Sequence, residues 1–180
     1  MGVSNIEKSK ITQQYLTYLV LHEMGHTLGL THNMKSSQLH SLKDIHNEEL
    51  TSKVGLIGSV MDYPAVNIAL NREKQGLYWT SRPGPYDIWA IKFAYENGRS
   101  KEETKNLLNE STKHELMFGN DADDMRYPGK AMDPRVNVMD LTSDAIAYSI
   151  ERLKLTKRIG ANLIKNLKDD ESSYHKHRVS

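Results

Sequence analysis

One stretch of eleven residues constrains this chain more than any other: His22-Glu23-Met24-Gly25-His26-Thr27-Leu28-Gly29-Leu30-Thr31-His32. It reads H-E-x-x-H-x-x-G-x-x-H. Residues four apart share one face of an α-helix, so a helix here aims the His22 and His26 imidazoles at a single point, one turn apart. Two imidazoles converging in this way suit a metal ion. Glu23 lies about 100° further round the helix, where it cannot join the pair as a ligand but can reach a water held at that point, as a general base does. His32 follows His26 by six residues and would be carried past the site by a continuing helix. The chain must turn sharply, and Gly29 supplies the backbone freedom for it.

Three neutral imidazoles favour zinc, in the arrangement where three protein ligands leave a fourth position to water. Water held there becomes a source of hydroxide near neutral pH. The chain has no cysteine, so it has neither a thiolate site nor a disulfide framework, and histidine and carboxylate are its only strong ligand types. A single histidine would read as part of an ordinary buried helix; the fixed spacing of five positions argues against that here. The charge balance, 24 Lys plus Arg against 23 Asp plus Glu, gives no global field that would recruit nucleic acid or a membrane surface. The partner has to be argued from the site. No apolar run approaches the roughly 20 residues that span a bilayer, so the sequence predicts no transmembrane segment, and Met1 to Lys10 is too polar for a secretory signal.

Further along, Ser59-Val60-Met61-Asp62-Tyr63 and Pro85-Tyr86-Asp87-Ile88-Trp89-Ala90-Ile91-Lys92-Phe93-Ala94-Tyr95 follow the histidine stretch in that order. Together the three segments resemble the metzincin zinc peptidases. In that family a methionine turn lies beneath the metal, reading S-x-M-x-Y in the astacin-like and serralysin-like branches, and Met61 and Tyr63 match its positions. The resemblance implies that Met61 makes apolar support under the ligands and that the Tyr63 hydroxyl approaches the zinc and the reacting carbonyl, where it stabilises the oxyanion. It also implies that residues 85–95 form the final helix, with an Asp-Ile-x-x-Ile core and a late tyrosine packed under the turn. One position departs: the residue after the third histidine is commonly Asp, Glu, Ser or Pro in the named branches, and here it is Asn33. A closer similarity, from Tyr15 through the segments around Met61 and Asp87 into Phe118 to Asp124, is to large zinc-dependent metalloproteases of Bacteroidetes-type bacteria. Metzincins build an upper sheet from a long segment ahead of the zinc helix, and only 21 residues precede His22. The resemblance therefore implies the C-terminal part of a zincin-like catalytic domain with its sheet largely missing. It further implies a partner in the upstream part of the same protein and a secreted, periplasmic or cell-envelope location.

Taken in order, the chain is expected to be mainly α. Ile11 to Leu28 carries Ile11, Tyr15, Leu19, His22 and His26 at spacings of three or four without a proline, which predicts a helix capped by Thr12. Tyr15 and Leu19 read as core contacts, and Met1 to Lys10 as a frayed end. Lys43 to Leu50 predicts a short helix, and His40 and His46, off a common helical face, read as surface residues in preference to a second metal site. Asp62 is a candidate to orient a histidine from behind. Tyr78-Trp79 either line a specificity pocket below the zinc, which in metzincins is walled by the segment after the methionine turn, or pack on the next helix. Tyr86 to Asn97 has almost no polar face and predicts a buried helix stopped at Gly98. Ser100 to Glu115 opens with a capping-box spacing to Glu103 and reads as a solvated helix. Asn120 to Asp124 groups several oxygens without the spacing of an EF-hand, which favours an acidic loop over a calcium site. Asp140 to Lys168 is the longest helical stretch, with Thr142 or Ser143 as its cap and a seam through Ile146, Ile150, Leu153, Gly160, Ile164 and Leu167. A kink at Gly160 and a basic, solvated face are expected of it, while His175 and His177 fall in a polar tail.

These readings divide the chain into 1–97, carrying the zinc-site helix, methionine turn and final helix, and 98–180, a helical extension. The expected function is that of a zinc-dependent endopeptidase acting on a polypeptide, with Zn2+ on His22, His26 and His32 and catalysis by Glu23 and Tyr63. The piece alone is expected to cleave weakly or not at all, for want of the sheet edge that binds an extended peptide. A non-catalytic module with a vestigial zinc site, and a metal-dependent hydrolase of a non-peptide amide or ester, are the alternatives. Apolar surface left bare by the missing sheet would favour self-association.

Overall fold

The structure, a computed structural model, describes residues 4–124 and 133–169. All regular secondary structure among the described residues is helical, as the periodicity predicts: α1 (Asn5–Thr27), α2 (Glu48–Val54), α3 (Pro85–Tyr95), α4 (Lys101–Asn109) and α5 (Ala145–Asp169). Short 3₁₀ turns occupy Ser36–Leu39, Arg72–Lys74, Glu110–Thr112 and His114–Leu116.

The helix α1 begins at Asn5 because Ser4 caps it, its hydroxyl accepting from Glu7 N at 3.1 Å. Thr12 is not the cap; its hydroxyl turns back to Lys8 O at 2.9 Å. Residues 5–10, expected to fray, are instead the first turns of the helix, held by Glu7, which accepts from the Tyr78 hydroxyl and the Arg72 guanidinium. At the other end Leu30 N donates to Gly25 O and Gly29 N to His26 O, both at 3.0 Å, with Gly29 at φ +83°. This is a Schellman turn, and its left-handed residue calls for glycine on backbone grounds alone.

The apolar core, made of Ile45, Leu56, Ile57, Leu77, Leu141 and Tyr148, draws mostly on loops and on the start of α5. Loops at this depth need partners for their backbone, and buried side chains provide them. Asn67 Nδ2 donates to Ile45 O and Leu77 O at 3.1 and 2.8 Å, and the Asp87 carboxylate accepts from Val60 N and Gly84 N, both at 2.8 Å.

Several expectations are corrected. The short helix α2 starts at Glu48, capped by Asn47, because Ser41 and Asp44 close a turn on one another where Lys43 would have begun it. His40 and His46 are not surface residues: His40 is buried with its Nε2 2.7 Å from Gly55 O, and burial holds the His46 imidazole below its ordinary pKa. Only Asp87 and Ala90 of α3 are buried, while Ile88, Phe93 and Tyr95 are exposed. One side of α3 is fastened to α4 by Trp89 Nε1 donating to Leu107 O at 2.9 Å, and the rest opens onto an apolar groove shared with Leu21, Met24 and Leu28 of α1.

The helix α4 carries the predicted capping box of Ser100 and Glu103, and its Leu107 is buried. The helix α5 starts at Ala145, because Thr142 N and Ser143 N are spent on Ser37 O and His40 O, and Asp144 becomes the cap through Ala147 N at 2.8 Å. It runs unbroken through Gly160. Its core-facing residues are Tyr148 and Leu155, so Ile146, Ile150 and Leu153 of the expected seam point outward. The side chains of Ile164 and Leu167, and the tail with His175 and His177, lie outside the described residues. No helix among the described residues is long and apolar enough to cross a membrane.

Candidate metal centre

Tyr18, His22 and His26 are spaced by four along one face of α1, the first two buried and His26 exposed at its end. His22 Nδ1 lies 2.8 Å from Val60 O, and His26 Nδ1 lies 3.1 Å from Leu30 O, on the Schellman turn. His32, returned by that turn, has its Nδ1 3.0 and 3.1 Å from the two carboxylate oxygens of Asp121. Every Nδ1 is thus occupied by an acceptor, which sets the tautomer and leaves Nε2 as the ligand atom.

The ligand atoms of His22, His26 and His32 all lie within 4.8 Å of one another, with ring centroids 4.9 to 5.5 Å apart. A tetrahedral zinc site wants its nitrogens about 3.3 Å apart, so a small inward movement closes the shell. Burial holds the His22 imidazole below its ordinary pKa, against the opposing effect of Val60 O, and so favours the neutral form that binds metal. Donor type, preset tautomers and convergence all fit a zinc ion. Among the described residues no other group of three His, Cys, Asp or Glu has this proximity.

Asn33, the residue that departs from the named metzincin branches, is fully buried. Its N donates to Met61 O at 3.0 Å, its Nδ2 to Met117 O at 3.0 Å, and its Oδ1 accepts from Gly119 N at 3.1 Å. An amide can donate and accept at once, which a carboxylate or serine in this place would do less well. The clamp fastens His32 to the turn that carries Met61 on one side and to residues 117–119 on the other, and the latter deliver Asp121. Of the acidic stretch Asn120 to Asp124, Asp121 faces His32, while Asn120 Oδ1 and Asp123 Oδ2 accept bonds from Ala122 N and Asn120 N within the loop.

Met61 is fully buried beneath the ligand helix, its sulfur filling the space where a Cβ at Gly25 would be. The turn is held by Ser59, whose hydroxyl donates to Asp87 and accepts from Met61 N at 3.1 Å. The Tyr18 hydroxyl donates to Asp62 O. Asp62 does not orient a histidine: its carboxylate accepts from Ser36 Oγ, Ser37 N and Tyr63 N at 2.9, 2.6 and 2.7 Å. Tyr63 carries its hydroxyl to 2.9 Å from His32 Nε2.

Beside the histidines lies a cavity of about 170 Å³ walled by Tyr15, Leu19, His22, Glu23, Tyr63 and Trp79. Tyr15 and Leu19 are therefore cavity wall and partly exposed, not core. Trp79 stacks on Tyr18 at 5.4 Å between centroids, whereas Tyr78 turns away to Glu7. Glu23 is exposed at the cavity rim. Sequence reasoning missed Tyr18, Gly25 and Asp121. The spacing of four to His22 could have found Tyr18; nothing local marks Asp121, 89 residues from its histidine.

One helix and the turn that closes it bring three imidazoles together over a buried methionine, with a tyrosine two residues on, an arrangement that could hold a metal ion and is of metzincin type. The chain belongs to the Met-zincin family, whose model matches residues 4–179. No curated protein and no solved structure matches it. Family and histidine cluster together indicate a metal-dependent hydrolytic function.

Proposed function

We propose that the chain carries the catalytic centre of a zinc-dependent endopeptidase, akin to the large metalloproteases of Bacteroidetes-type bacteria and working in a secreted, periplasmic or envelope setting. Residues 1–97 carry the three histidines, and residues 98–180 are an extension, helical in much of its described part, that reaches the centre through Asp121. The observation that carries this reading is the convergence of His22, His26 and His32 with each Nδ1 already engaged. Zinc bound by the three supplies Lewis acidity toward a carbonyl and acidifies water. Glu23 takes the proton of the attacking water and returns it to the leaving amine, which gives a bell-shaped pH dependence. Tyr63, whose hydroxyl already reaches the ligand nitrogen of His32, donates to the oxyanion. The aromatic cavity by Trp79 takes up an apolar side chain of the polypeptide.

The test is cleavage of casein by the zinc-loaded protein and by Glu23→Ala, with zinc content measured in both. The reading predicts at least about a 100-fold loss of cleavage at unchanged zinc content. Equal measurable cleavage by the two proteins would mean that Glu23 is not the base, and would replace the reading with a binding module or a hydrolase of non-peptide substrates.

A further inference from the structure

Asp140 is 8% exposed, and neither of its carboxylate oxygens has a hydrogen-bond partner. The fully buried Ser37 hydroxyl stands beside that carboxylate, near enough to draw its pKa down as a donor does but outside regular hydrogen-bond geometry, and the buried Tyr148 hydroxyl, which feels the charge of Asp140, has no partner either. Asp140 thus has two further buried oxygens in its neighbourhood, and none of the four closes a regular hydrogen bond. Backbone bonds fix it: Thr142 N to Ser37 O at 3.0 Å, Met139 N to Tyr63 O at 2.8 Å and Ala65 N to Asp140 O at 3.4 Å hold Asp140 between the Ser36–Ser37 turn and residues 62–65. Across this position stands Asp62, also fully buried, and the two carboxylates repel one another. Among the described residues neither pairs with a cationic side chain.

Two buried like charges with no counter-charge are strongly unfavourable. A proton would relieve the repulsion, and burial does push both carboxyls up, Asp62 to about 8 with Asp140 adding to the effect. It would do little for the unpartnered oxygens, since one proton satisfies one acceptor. A hard divalent cation answers both needs, and a two-oxygen carboxylate edge with neutral hydroxyls in an irregular shell suits calcium better than the octahedral demands of magnesium.

We propose that a calcium ion binds between Asp140 and the methionine turn, coordinated by the Asp140 carboxylate and Ser37 Oγ and balanced by the negative charge of Asp62. The site is separate from the three histidines. It ties residues 136–142 to the turn that carries Met61 and Tyr63, since Asp62 also accepts from Tyr63 N.

The experiment titrates the metal-depleted protein, reloaded with one equivalent of zinc, with Ca2+ by calorimetry and with Tb3+ by luminescence sensitised through Tyr148. One saturable equivalent is expected, with Ca2+ displacing Tb3+ and raising the melting temperature. Asp140→Asn and Ser37→Ala should each weaken binding, the former at least about tenfold, while Asp123→Asn leaves it unchanged. Absence of one-equivalent binding by the wild-type chain would overturn the proposal in favour of a proton and buried water, whatever the variants do. Loss confined to Asp123→Asn would move the ion to the acidic loop and overturn it equally.

Discussion

Asp121 carries more of the metal centre than its exposed position suggests, because its carboxylate is the only acceptor for His32 Nδ1 among the described residues. Removing the charge while keeping the shape should loosen the third imidazole, and such partners are typically worth about 10- to 100-fold in metal affinity. Asp121→Asn is therefore expected to bind zinc about 10- to 100-fold more weakly in competition with a chromophoric chelator; unchanged affinity would mean that His32 is oriented without it. His22 and His26 were legible because helical spacing places them, and His32 because Gly29 marks the turn that returns it. Asn33 was visible as an odd residue, but its clamp role depends on Met117 and Gly119, which no local pattern connects to it. Gly25 was hidden for another reason: its task is to leave room for the Met61 sulfur, and an absence has no periodicity.

At the level of elements, the helices were largely legible and their faces were not. Apolar spacing on α3 and α5 tells which residues would gain from burial, yet burial also needs a neighbour, and Ile88 and Ile150 have none to cover them among the described residues. The methionine turn makes a prediction of its own through Asp62, whose carboxyl is raised to about 8 by burial first and then by Asp140. In the unfolded chain it titrates near about 3.9, so between these values the folded protein holds a proton that the unfolded chain has lost. Stability must then fall as pH rises through this window. Burial lowers His22 and His46 below their ordinary value, so each adds an opposing slope until the unfolded imidazole has lost its proton, and only above about pH 7.5 are both neutral folded or unfolded. Metal-depleted protein should lose up to about 1.4 kcal/mol per pH unit between about pH 7.5 and 8 in urea denaturation, and Asp62→Asn should flatten the slope. A rising or level profile in the wild-type chain would contradict this.

For the whole molecule, the mainly helical class followed from periodicity, whereas the loop-built core did not, because Asn67 and Asp87 hold it through side-chain bonds to backbone that sequence patterns do not encode. The surface bears the other consequence. An apolar groove of about 470 Å³ runs between α1 and α3, and Leu16 and Val20 extend the bare face of α1. Such a face associates in water. Sedimentation velocity should show oligomers growing with concentration, reduced by Ile88→Glu; a wild-type monomer at high concentration would argue that the face is innocuous. The central claim, that three imidazoles from one turn-closed helix hold a zinc ion, is tested most directly by elemental analysis with zinc-edge X-ray absorption on the wild-type chain and on His32→Ala. The prediction is one zinc per chain with three imidazole nitrogens at about 2.0 to 2.1 Å, and loss of that shell in the variant. A wild-type protein without stoichiometric zinc, or an identical shell in His32→Ala, would contradict it.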